Sequence, residues 1–325
     1  PMKRYYFAPM EGITGHLYRS THQKFFPGAD KYYMPFCSPR QDHTFTRREL
    51  SGLLPENNKD IPAVPQLLTR NSSDFLWAAG ELAAMGYQEV NLNLGCPSGT
   101  VVAKGKGSGL LGRPRELEAF LDTVFSSTPI PVSIKTRLGL NDPEEFGPLL
   151  ERFRRYPIHE LTLHPRIRKD FYKGQPRTEY YAAALADSPF PVCCNGDLNT
   201  PEDFAGLESR FPAAAALMAG RGAVADPALF RQLKGGPPAG REELKAFHDT
   251  LYERCCEAFG SRRNAMLRMK EIWYYHIGLF ADGERLHKAL RKEQDARAYE
   301  RLTDEIFRTL PLRPTVQAVW QKEAL

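Results

Sequence analysis

The sequence predicts an α/β fold, a (β/α)8 TIM barrel followed by a small C-terminal helical bundle. Three observations predict it. Eight short apolar runs recur between residues 5 and 219, helix-like stretches lie between most of them, and a glycine- and proline-rich break at 234–240 precedes a tail of purely helical pattern. Strands alternating with helices argue for a parallel sheet, and eight such units in a segment of this length match a closed barrel. A doubly wound sheet is the alternative, because counting strands does not prove closure.

The strand candidates are residues 5–10, 31–36, 63–68, 89–94, 131–137, 160–164, 191–195 and 214–219, each ending in polar or glycine-rich residues. Residues 72–85 read as a helix, with Asn71 or Ser72 as cap and Gly86 as terminator. Residues 114–125 read as another, with proline in the first turn and acidic residues following. Beyond the break, 242–259, 265–278, 283–290 and 295–310 repeat apolar residues at three- and four-residue intervals. The expected domains are therefore a barrel over 1–234 and a helical bundle over 241–325. Within the bundle, Trp273, Tyr274 and Tyr275 read as core packing rather than a platform for bases. The Gly-x-Gly-x-x-Gly look-alike near Gly105 and Gly107 follows no immediate strand, so no dinucleotide fingerprint is expected.

Composition excludes other classes. At 42% hydrophobic and 26% charged residues the chain is ordinary for a globular protein. No run approaches the roughly 18 to 20 apolar residues of a membrane helix. The N-terminal residues lead straight into the first strand with no room for a signal peptide. A cytoplasmic monomer without membrane partners is expected. The formal charge of +5 permits nucleic-acid binding without demonstrating it. Cys37, Cys96, Cys193, Cys194, Cys255 and Cys256 form no C-x-x-C pair, so free thiols and no metal site are expected.

In a barrel, function gathers where strands finish. The first strand ends in Pro9-Met10-Glu11-Gly12, the third in Gln66, and the fourth runs through Asn93 into Gly95-Cys96-Pro97-Ser98. The fifth carries Lys135 and Arg137, the sixth ends in His164-Pro165-Arg166, the seventh in Asn195-Gly196-Asp197 and the eighth in Gly220-Arg221-Gly222. The last two lie where barrels commonly bind phosphate on glycine-rich backbone amides, with tight turns as the plain alternative. Lys135 and His164 add positive charge and donors. Cys96 leads into glycine-rich 104–109, which predicts a mobile loop able to close over a substrate. A thiol there can act as acid or nucleophile, or lie buried under the loop.

Together these blocks resemble the dihydrouridine synthase family: A-P-M-E-G at 8–12, N-L-N-L-G-C-P-S at 91–98, S-I-K-T-R-L-G at 133–139, H-P-R-I-R-K-D-F-Y-K-G at 164–174, N-G-D at 195–197 and G-R-G at 220–222. Pro165 and Ile167 stand where relatives more often carry a small residue and threonine. The resemblance implies FMN in the barrel, NADPH as reductant and transfer RNA as partner, with ribosomal RNA the alternative. It places Pro9, Met10 and Glu11 by the isoalloxazine ring and Gln66 and Lys135 on its polar edge. His164, Asn195, Gly196, Asp197, Gly220 and Arg221 would hold the ribityl chain and phosphate. Cys96 corresponds to the general acid, Asn93 to a residue beside flavin and uracil, and Arg137, Arg166, Arg168 and Tyr172 to the substrate side. Further phosphate contacts are expected from Lys104, Lys106 and Lys169, and from Arg262, Arg263, Arg268 and Lys270 in the tail, which resembles the family's RNA-binding domain. A flavin barrel acting on a small molecule and a non-catalytic RNA-binding protein are the competing readings.

Overall fold

The structure, a computed structural model, describes residues 3–322. Nine short parallel strands form one sheet: β1 Arg4–Phe7, β2 Lys31–Tyr33, β3 Ala63–Val64, β4 Gln66–Leu67, β5 Val90–Leu94, β6 Val132–Thr136, β7 Leu161–Leu163, β8 Val192–Asn195 and β9 Ala216–Ala219. Their spatial order is β3-β2-β1-β9-β8-β7-β6-β5-β4. β3 and β4 are halves of one strand interrupted at Pro65, which has no N–H to give to a ladder but whose carbonyl accepts from Asn91 N at 2.9 Å. The two ends of the sheet are thus joined through a single residue, and the sheet is a barrel. That excludes the doubly wound alternative, which requires two open edges.

Side-chain alternation decides what the barrel holds. On β5, Val90, Leu92 and Leu94 point outward and are fully buried under the helices, while Glu89, Asn91 and Asn93 point inward. The same parity turns Tyr6, Tyr33, Ser133, Lys135, Thr162, His164, Cys193 and Asn195 to the interior. The amino-terminal end is plugged by Tyr6, Tyr33, Cys193 and Met218, with Lys31 paired to Glu89 at 2.6 Å and to Glu160 at 3.8 Å. From this plug a hydrogen-bonded chain climbs toward the carboxyl-terminal mouth. Ser133 Oγ donates to Glu89 (2.6 Å), Asn91 Nδ2 to Ser133 Oγ (2.9 Å), Gln66 Nε2 to Asn91 Oδ1 (2.8 Å) and Asn93 Nδ2 to Gln66 Oε1 (3.0 Å). Each buried amide is satisfied by the next, which fixes both rotamers and flips.

Four helices of the tail, Arg241–Phe259, Arg262–His276, Glu284–Lys292 and Ala296–Thr309, match the four expected. They share the barrel's core rather than forming a separate one. Phe247 packs edge-on against Tyr18 of the helix His16–Phe25 and against Phe26 at its end. Arg254 reaches Leu17 O (3.1 Å) and Ser20 Oγ (2.7 Å), and His276 Nδ1 bonds Ala225 O at 2.8 Å. Past the bundle the chain returns to it, with Arg313 N on Leu279 O and Gln317 N on Gly278 O, and forms a short helix, Val319–Lys322. Residues 1–2 and 323–325 of the two expected domains lie outside the described residues. No helix among the described residues is long and apolar enough to cross a membrane.

Candidate active site

The carboxyl ends of the strands surround a cavity of about 530 Å³, within the usual range for ligand sites. Pro9, Met10, Glu11, Gln66, Asn93, Cys96, Lys135, Arg137, His164, Tyr172 and Arg221 line it. A smaller space of about 80 Å³ shares Pro9, Met10, Lys135, His164, Tyr172 and Arg221 and adds Asn195, Gly196, Asp197 and Gly220. Of the residues expected at the cofactor and the uridine, Arg166 and Arg168 line neither.

Cys96 is held from two sides. Asn93 Oδ1 accepts from the backbone N–H of Gly95 and of Cys96, both at 3.0 Å, a local turn that Asn and Asp favour. The Cys96 carbonyl accepts from Ser108 Oγ (2.8 Å) and Ser108 N (3.1 Å). Its side chain is half-buried on the cavity wall. The glycine-rich stretch that follows, expected to be a mobile loop, is folded in this structure. It forms a helix, Gly99–Ala103, and a 3-10 turn, Gly107–Gly112, with Gly107, Ser108 and Gly109 buried. A Cβ on Gly107 (φ +56°) would fall 3.1 Å from Cys96 Cβ, and one on Gly109 would fall 2.9 Å from Val102 O. These glycines serve close packing under the thiol.

The phosphate-like end is cationic. Lys135, Arg137, Arg166 and Arg221 all act on His164, and burial together with that field holds its imidazole well below the usual range. His164 is therefore neutral, and because Arg166 Nη1 donates to Nε2 at 2.9 Å, the ring proton resides on Nδ1. Burial, then Arg137, pulls Lys135 down to about 8. Asp197 supplies the countercharge: Arg166 forks onto both its oxygens at 3.0 and 2.9 Å, and Arg221 reaches Oδ1 at 2.7 Å. Asp197 pairs with two of these four cations and Asp170 lies near a third, which still leaves an excess of positive charge, the setting an anion requires. Two glycines are closely packed here. A Cβ on Gly220 would come within 3.2 Å of Ala8 Cβ, and Gly196 has φ +133° beside the His164 ring.

Three arginines differ from one another in place. Arg166, expected at a nucleotide, is 1% exposed. Its five N–H groups are spent on His164, both Asp197 oxygens, Lys173 O (3.2 Å) and Gly174 O (2.6 Å). No donor is left over in this arrangement, and the residue ties the 170–174 loop to the strands. Arg168 lies at the rim, where its Nε donates to Pro97 O at 3.1 Å. Arg137 stays in the wall, bonded to Ile167 O at 3.1 Å. The Tyr172 ring sits between Arg221 Cζ (4.5 Å) and Arg137 Cζ (5.2 Å) and borders both cavities.

The tail contributes residues that sequence reasoning missed. Tyr274, Tyr275 and Trp320 line the large cavity, and Tyr275 packs on Trp320 with ring centres 5.5 Å apart. Only Trp273 of the aromatic triplet is core, 1% exposed with Nε1 on Tyr299 Oη at 3.1 Å. The cluster of aromatic residues is visible in the sequence, but no local signal says which ring faces the barrel. Among the outlying basic candidates, Arg262 is engaged by Glu253 and Glu300, each at 3.0 Å, and Lys270 by Glu293 O at 2.8 Å.

The sequence profile of dihydrouridine synthase matches residues 6–309. The chain belongs to the dihydrouridine synthase family. Dihydrouridine synthases are flavin-dependent oxidoreductases, and this chain is one of them. A probable tRNA-dihydrouridine synthase 1 of Synechocystis is 31% identical over 280 residues, covering 82% of this chain and 76% of the relative. A probable tRNA-dihydrouridine synthase of Staphylococcus epidermidis is 28% identical and covers 93% of both chains. Among solved structures, morphinone reductase in complex with tetrahydroNAD aligns with a TM-score of 0.52 at 13% identity, covering 73% of this chain and 88% of that one. At that identity the likeness concerns the barrel alone.

Proposed function

We propose that this dihydrouridine synthase saturates the C5–C6 bond of specific uridines in transfer RNA, with FMN in the barrel and NADPH as reductant. One observation carries the reading: a firmly held thiol, Cys96, shares a cavity with a cationic cradle of phosphate-binding character.

The residues present fit FMN. Gly196 and Gly220 border the smaller space, Arg221 and neutral His164 offer charge and donors for ribityl and phosphate oxygens, and Pro9, Met10, Gln66 and Lys135 border the space for the ring. Bound there and reduced by NADPH, FMN would supply the hydride for C6 of uracil. Cys96 supplies the proton that completes C5, and its thiolate recovers one from solvent. Cysteine thiols as a class carry their proton at neutral pH and so suit an acid. Asn93 sets the position of Cys96 through two backbone N–H groups, and its second Nδ2 hydrogen is available to the base. Lys135 stabilises negative charge building on O4, a contribution worth about 3 kcal/mol per donor. Tyr172 and Arg137 border the base.

The test is dihydrouridine formation by the purified yellow protein, supplied with NADPH and an unmodified transfer RNA transcript or free uracil. Dihydrouridine in the transcript with no turnover of free uracil is expected. Rapid reduction of the free base would favour a small-molecule reductase, and a colourless protein without turnover would remove the enzymatic reading.

A further inference from the structure

The loop between β7 and the next helix carries a residue at odds with its backbone. Asp170 to Lys173 form a tight turn, closed by Lys173 N on Asp170 O at 2.8 Å. At its first central position stands Phe171 with φ 52° and ψ −104°, the setting of a type II′ turn, where glycine is the usual occupant. A bulky side chain at positive φ is strained, and such strain persists where the surrounding structure or function demands it. The ring receives no compensation from burial, since Phe171 is 41% exposed.

Its surroundings point to a ligand class. The guanidinium of Arg168 lies 5.0 Å from the Phe171 ring centre, and the same side chain bonds Pro97 O next to Cys96. Tyr172, the next residue, lines the cavity. An exposed aromatic face backed by a cation at the rim of a uridine-reducing cavity suits a nucleobase, which stacks on aromatic rings and on guanidinium planes. A uracil that leaves its stack exposes the faces of its neighbours, and inserted apolar side chains are a recurrent means of covering them.

We propose that Phe171 is a substrate-positioning residue that stacks on a base adjacent to the target uridine and holds the gap open while the uracil occupies the cavity. The inference rests on RNA being the substrate. The strained turn presents the ring outward, and Arg168 keeps it registered to the Cys96 loop.

The test compares wild type with Phe171→Gly, Phe171→Asn and Phe171→Trp, using an unmodified transfer RNA transcript. Glycine and asparagine suit the backbone and remove the ring, so both variants fold with thermal midpoints no lower than wild type and keep their flavin absorbance. Their affinity for the transcript and their rate of dihydrouridine formation fall about tenfold or more, the loss expected for one base–aromatic stack. Phe171→Trp retains both, and its added tryptophan emission is quenched by the transcript. Unchanged affinity and rate in the glycine and asparagine variants, beside an active wild type, overturn the stacking role and leave uridine reduction intact. A lowered midpoint in Phe171→Gly overturns the strain. A wild type that neither binds nor reduces the transcript overturns the RNA reading, and this inference with it.

Discussion

At the scale of single residues, the site separates groups that face the ligand from groups that hold them. Cys96 faces the cavity; Asn93 and Ser108 hold it. Cys96→Ala removes the proton donor and leaves the turn intact, so flavin content and transcript affinity are retained. Dihydrouridine formation is expected to fall about a hundred- to ten-thousandfold, the range for loss of a general acid, as measured by single-turnover oxidation of the reduced enzyme with transfer RNA. Lys135 makes a pH prediction. In the flavin-free protein it titrates at about 8 because burial and Arg137 oppose its charge. Below that value it is a cation and attracts an anionic cofactor; as pH rises through it, the attraction is lost. Flavin affinity, followed by fluorescence titration, is expected to weaken between about pH 7 and 9, whereas Lys135→Met binds more weakly at neutral pH and shows little further change. Both Cys96 and Lys135 are legible in the sequence because they stand at strand ends. The role of Arg166 is not. It lies two residues from His164 in a basic motif, and only its closed set of five hydrogen bonds reveals it as a brace.

At the scale of elements, glycines do two different things. Gly222 lies against the segment after β8, where a Cβ would fall 2.5 Å from Asn199 Cα and 2.9 Å from Leu198 O. Backbone on that side cannot yield cheaply. Gly222→Ala is therefore expected to cost about 1–3 kcal/mol and to lower flavin occupancy, measured by urea denaturation and visible absorbance. Gly206 sits exposed in the helix Pro201–Arg210, and a methyl group placed on its Cα would meet nothing within 4 Å. Gly206→Ala is expected to stabilise by about 0.5–1 kcal/mol in the same assay. The same substitution thus carries opposite signs at the two positions. The strands show the same limit. Their existence is evident from apolar runs, but the split of one strand at Pro65 and the closure it permits depend on Asn91 arriving opposite its carbonyl.

At the scale of the whole molecule, the tail and the barrel share a core and are expected to unfold as one unit. Phe247 covers the face made by Tyr18, His22 and Phe26, and residues of both regions belong to one apolar cluster. Thermal unfolding of the full chain is expected to show a single transition, coincident by far-ultraviolet circular dichroism and tryptophan emission. A protein ending at residue 240 loses that cover and is expected to aggregate or to lack a cooperative transition, because a large apolar patch is left in water. Independent folding of the shortened protein with an unchanged midpoint would show two separable domains instead. The aromatic wall of Tyr274, Tyr275 and Trp320 gives the same continuity a functional side, since the cavity is finished by residues that lie far from the barrel in the chain.

What the sequence determined by itself is local and periodic. Alternating apolar runs specify strands, three- and four-residue spacing specifies helices, and polar residues at strand ends mark the mouth, because each of these depends only on near neighbours and on which face meets water. Period-two alternation even sorts Asn91, Asn93, Lys135 and His164 to the interior once the strands are placed. The tertiary structure alone decided the rest: that the sheet closes, that Arg166 is spent on Asp197, that the glycines near Cys96 are closely packed, and that Trp320 comes back to the cavity. Each of those outcomes is set by groups distant in sequence competing for the same space or the same hydrogen bonds, and that competition is resolved only when the chain is folded.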